Sequence, residues 1–148
     1  MSGSTITAVK AQLVALLTAR PELASPVLVC YDEPGTNLPD DIVSVGDAQR
    51  QVTVATMIGS GAAGWLDETI DLEIVVDVYR GGDDPQGAFE RAAALADIVA
   101  DTVRSDPSLG GLVLRAVPDK VEYVSSFEAE RKGRLARVIT HLMVTARI

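Results

Sequence analysis

Residues Glu68 to Ala116 form one punctuated block: ETIDLEIVVDVYR, GGDDP, QGAFERAAALADIVADTVRS, DPSLGG and LVLRA. It reads as strand, turn, helix, turn, strand. In the first segment Ile70, Leu72, Ile74, Val76 and Val78 fall on one face. Thr69, Asp71, Glu73, Val75, Asp77 and Tyr79 fall on the other. A period of two with one charged face predicts a half-buried strand of an antiparallel or mixed sheet. The helix has firm signals at both ends. Asp84 stands at the cap position, and Pro85 follows where its missing N–H costs nothing. Phe89, Ala92, Ala96, Val99 and Val103 are spaced as a core stripe. Arg104 suits the negative end of the helix dipole. Asp106-Pro107 ends the helix and Gly110-Gly111 reverses the chain.

The flanking sequence supplies the rest of a sheet. Thr5 to Ala19 predicts a helix, with Ile6, Val9, Leu13, Leu16 and Leu17 in one stripe and Ser4 or Thr5 as cap. Short strands are expected over Pro26–Tyr31, Ile42–Val45 and Gln51–Ile58. Leu112–Val117 and Lys120–Ser126 are strand-like, broken at Pro118, where a bulge, bend or sheet edge is expected. Arg134 to Ile148 alternates as a long final strand. The order predicts an α+β fold: a single mainly antiparallel β-sheet with two α-helices packed on it, in one domain over residues 1–148.

The chain carries a net charge of −8 and one cysteine, Cys30. The charge argues against non-specific binding to a phosphate backbone. The lone cysteine excludes an internal disulfide and a cysteine-rich zinc site. No apolar run approaches the roughly 20 residues of a membrane helix, and MSGSTITAVK lacks the pattern of a secretory signal. Residues 1–114 hold 6 Lys/Arg against 17 Asp/Glu, a balance of −11. Residues 115–148 hold 7 against 4, a balance of +3. This asymmetry suits head-to-tail association of identical subunits, or is ordinary surface variation.

Few residues invite chemistry. Gly59-x-Gly61-x-x-Gly64 spells the dinucleotide pattern, but that motif needs a helix to begin at its glycines. Here Trp65 and its successors alternate as a strand, so the glycines read as a loop. With Met57, Ile58 and Trp65 they form a candidate contact segment. Trp65 is either an anchor at a subunit contact or a ring folded over the core edge. Asp71, Glu73 and Asp77 share a strand face that is solvated, or an acidic interface or channel wall. Acid–base work would need burial to separate their pKa values. His141 is the sole histidine and cannot build a zinc site alone, and Cys30 reads as an inert thiol rather than its partner. Arg131, Lys132 and Arg134 form a small basic cluster at a turn, a candidate interface or a solvated hairpin tip that is too short for nucleic-acid recognition. No catalytic residue, metal or cofactor is expected.

The order of elements resembles a tail terminator of long-tailed, non-contractile bacteriophages. The N-terminal helix, DVYR (Asp77–Arg80), the Ala-rich helix around Ala92–Val103, DPSLGG (Asp106–Gly111) and the two closing strands carry the likeness. The resemblance implies a non-enzymatic virion protein, usually a hexameric ring, assembled in the host cytoplasm. Such a ring caps the tail tube protein, meets the head completion or connector protein, and lets DNA pass without specific binding. It carries no individual functional residue across. Another neck component, a stopper or adaptor, has a similar appearance. A nucleotide- or small-molecule-binding α+β domain rests only on the glycine run and the carboxylate face.

Overall fold

The computed structural model describes residues 4–35, 38–56 and 65–148, with backbone alone at 55, 56 and 65. Two helices, α1 (Ile6–Thr18) and α2 (Pro85–Ser105), pack on a five-stranded sheet. Its strands are β1 (Leu28–Tyr31), β2 (Asp41–Thr56), β3 (Trp65–Gly81), β4 (Arg115–Glu128) and β5 (Gly133–Arg147), in spatial order β1-β2-β3-β5-β4. Only β1 and β2 run parallel; the other three pairings are antiparallel. The mainly antiparallel α+β reading of the sequence therefore holds. Both β3 and β4 pair with β5, so α2 carries the chain over one strand before it returns to the sheet.

The alternation of β3 has its expected consequence. Ile70, Leu72, Ile74, Val76 and Val78 are fully buried under the helices, joined by Val138, Leu142 and Val144 of β5. Each such side chain contributes roughly 1.5–3 kcal/mol relative to exposure. Ala88, Ala92 and Ala96 let α2 lie close to the sheet, with Leu95, Val99 and Val103 filling the space beside them. The Asp84 carboxylate accepts the Gly87 N–H at 3.0 Å, as the cap signal predicts. Gly110 and Gly111 take φ of 74° and 86° in the turn that reverses the chain, a region L side chains avoid.

Three expectations are corrected. Ile42–Val45 and Gln51–Ile58 are not two strands; β2 runs unbroken from Asp41 to Thr56. A register shift between Val45 and Ala48 absorbs Gly46-Asp47, which the sequence presents as a break. The segments either side of Pro118 likewise form one strand, with the predicted shift between Pro118 and Lys120 on the sheet's outermost strand. Phe89 is not in the core. It is 38% exposed, because α2 turns Ala88 and Leu95 inward instead.

Candidate assembly surfaces

The helices cover one face of the sheet and leave the other open. Strand alternation places Asp71, Glu73 and Asp77 of β3 together on that open face, but β5 brings cations beside them. Arg137 stands opposite Asp77 in register and grips it through two bonds, of 2.7 and 3.1 Å. His141 stands opposite Glu73, with Nδ1 3.4 Å from Asp71 and Nε2 2.7 Å from Glu122 of β4. Burial opposes protonation of His141, but the bonds to Glu122 and Asp71 outweigh it and raise its pKa. The open face thus carries cross-strand pairs of charge among its carboxylates. On this face lies a cleft of about 380 Å³ over β2, β3 and β5, whose walls include Glu33, Asp47, Glu73, Asp77 and Arg137.

The basic cluster is divided by its surroundings. The Arg131 guanidinium lies 3.8 Å from the Tyr79 ring, and its carbonyl accepts the Tyr79 hydroxyl at 2.5 Å. Lys132 occupies the turn with φ of 52°. Arg134 donates to Asp83 at 2.8 Å and covers Phe127. Met57, Ile58, Gly59, Gly61 and Gly64 lie outside the described residues. Trp65 opens β3 opposite Thr56. Cys30 and His141 are not brought together. β1 and β5 are separated by β2 and β3, three strand spacings or roughly 14 Å. Burial raises the Cys30 thiol pKa, with the Asp32 charge adding to it, which suits an unreactive group.

Two buried carboxylates were missed. Glu68 is fully buried on the helix face of β3. It accepts the Thr5 N–H at 3.0 Å, the Thr5 hydroxyl at 2.8 Å and the Arg50 guanidinium. Burial pushes its pKa up, but the bonds from Arg50, Thr5 and Ser4 prevail and hold it below the usual range. A strand anion thereby sits at the positive end of α1, while the Ser4 hydroxyl also accepts the Ile6 N–H. Asp41, 7% exposed, joins Arg80 of β3 to Arg91 of α2 at 2.7 and 3.0 Å. Glu68 was readable: it keeps step with Ile70 and Leu72 and so points inward.

No family model matches the chain, and no curated protein matches it. The chain shares its fold with a virion protein. A chain from the virion of a native gene transfer agent particle superposes with a TM-score of 0.55 at 21% identity. The match covers 98% of this chain and 100% of that one. A sheath/tube terminator of an extracellular contractile injection system, in the extended state, superposes at a TM-score of 0.49 and 15% identity. That match covers 100% of this chain and 58% of the other and is too distant to carry an argument.

Among the described residues, no group of three or more His, Cys, Asp or Glu is placed to hold a metal ion. No described helix is long and apolar enough to cross a membrane. What the described surface offers is bare strand edge, exposed aromatic rings and ordered charge, which are the materials of protein contacts.

Proposed function

We propose that this chain is a structural protein of a virion tail, without enzymatic activity, and that it folds as one domain. Copies form a closed ring of six that caps the tail tube and ends its polymerisation. The ring then joins the tail to the head connector. The observation that carries the reading is the end-to-end likeness to a gene transfer agent virion chain, which accounts for the whole fold. The element order and the DVYR and DPSLGG segments supply the narrower tail-terminator reading.

The physics of the chain fits such a role. Its sheet ends in two unlike borders, β1–β2 and β4, and unlike surfaces favour head-to-tail contacts that close into rings. A net charge of −8 keeps a passing duplex from being gripped. The segment Met57–Gly64 with Trp65, which lies between β2 and β3 in sequence, is the candidate contact with the tube. Tail tubes polymerised with and without the purified protein test the proposal. Tubes stop at a shorter length and acquire a terminal cap when the protein is added. Unchanged length with bare ends would reject it, and binding to the connector alone would move the protein to another place in the neck.

A further inference from the structure

The aromatic residues are in an unusual place. The chain has 2 Phe, 3 Tyr and 1 Trp, yet the buried apolar residues among those described are all aliphatic. Phe127 and Tyr123 of β4 are 51% and 52% exposed, beside Val121 at 39%. Their partners in register are Arg134, Val138 and Thr140, which sets all three on the helix side of the sheet. Phe89 of α2 meets Tyr123 with ring centroids 5.6 Å apart, extending the row onto the helix. Beneath the row, the outer backbone edge of β4 pairs with no strand among the described residues. Pro118, Lys120 and the register shift between them blunt the start of this edge, whereas Val121 to Phe127 leave an apolar stretch open to pairing, and aromatic residues are enriched where chains meet.

The opposite border offers a matching surface. β1 pairs only with Ile42–Val45, so among the described residues no strand pairs with the outer edge of β2 from residue 46 onward. Val52 and Val54 stand on that stretch 40% and 56% exposed. Val52 pairs with the buried Glu68 and Val54 with Leu66, so both valines also face the helix side. Each copy therefore carries two different bare edges, on opposite borders, with apolar side chains on the same face. A β4-to-β4 contact would leave the β2 edge uncovered in every copy. A β4-to-β2 contact covers both.

We propose that the β4 edge, with Val121, Tyr123, Phe127 and Phe89, seats against the free β2 edge of a second copy, around Val52 and Val54. This deepens the ring reading and rests on it. The test uses two double variants: Tyr123→Glu with Phe127→Glu, and Val52→Asp with Val54→Asp. These side chains are half-exposed, so melting curves should stay near wild type. Should the first pair disturb folding, Tyr123→Ser with Phe127→Ser replaces it.

Sedimentation velocity then reads assembly of each protein alone and of the two variants mixed. Wild type forms closed oligomers, each variant loses at least tenfold in association, and the mixture stops at a dimer because each variant keeps one sound edge. Variants that assemble like wild type, a mixture that does not pair, or a wild type that stays monomeric in solution and on tubes would overturn the contact. Assembly through these edges without capping of tubes leaves the contact standing and rejects the terminator reading. Capping by edge variants does the reverse.

Discussion

Replacing Glu68 with Gln changes little in shape and removes one charge from a fully buried position. In the wild type that carboxylate takes two bonds from Thr5, at 3.0 and 2.8 Å, and one from Arg50. A hydrogen bond to a charged group contributes about 1.5–3 kcal/mol net. A charge at a helix N-terminus adds about 0.3–1 kcal/mol. Breaking a wholly buried pair costs about 3–5 kcal/mol, but the Arg50 side chain is 36% exposed and can turn to water. The loss therefore falls at about 2–4 kcal/mol. For a chain of 148 residues, with each kcal/mol moving Tm by about 2–4 °C, this lowers Tm by roughly 4–16 °C. The sign with pH follows from the depressed pKa. The stabilisation is full above the unfolded carboxyl pKa, near 4.3, and is lost as pH falls through the lower folded value. Urea unfolding of both proteins at pH 7 and near pH 3 measures it. The gap between them should be wide at pH 7 and narrow in acid. Equal stability at pH 7, or a gap that does not narrow, would refute the account of Glu68 as the anchor of α1.

Other outcomes follow from single contacts. His141 has a raised pKa, so its stabilisation is full below the unfolded value near 6.5 and is lost as pH rises through the folded one. NMR titration of this sole histidine should give a midpoint above 6.5, and Glu122→Gln should lower it; an unmoved midpoint would remove Glu122 as its partner. Gly133→Ala should destabilise by about 1–3 kcal/mol in denaturant melts. An added Cβ there would lie 2.5 Å from the Arg80 carbonyl oxygen and 2.6 Å from the Tyr79 ring, so a neutral result would show that this corner of the sheet yields freely.

Much of the fold was legible because its signals are local. The alternation of β3 and β5, the Asp84-Pro85 helix start and the Gly110-Gly111 reversal each lie within a few neighbouring residues. Errors came where a local signal met a distant constraint. Gly46-Asp47 looks like a strand end, yet pairing with β3 carries β2 through it as an irregularity. Phe89 lies at core spacing, yet the packing of α2 against β3 and β5 leaves it at the margin, over Tyr123. The carboxylates of β3 were readable as one face. The contacts of Asp77 with Arg137 and of Asp71 with His141 depend on a register between strands 60 to 70 residues apart. Which edges stay bare is a property of strand order, and sequence alternation is silent about strand order.

The central claim is that copies of this chain close into a ring on the end of a tail tube. Electron cryomicroscopy of tubes incubated with the purified protein tests it most directly. The account predicts one six-fold ring at a single end of each tube, with the β4 edge of every subunit covered by its neighbour. Bare tube ends, or protein scattered along the tube wall as monomers, would contradict it.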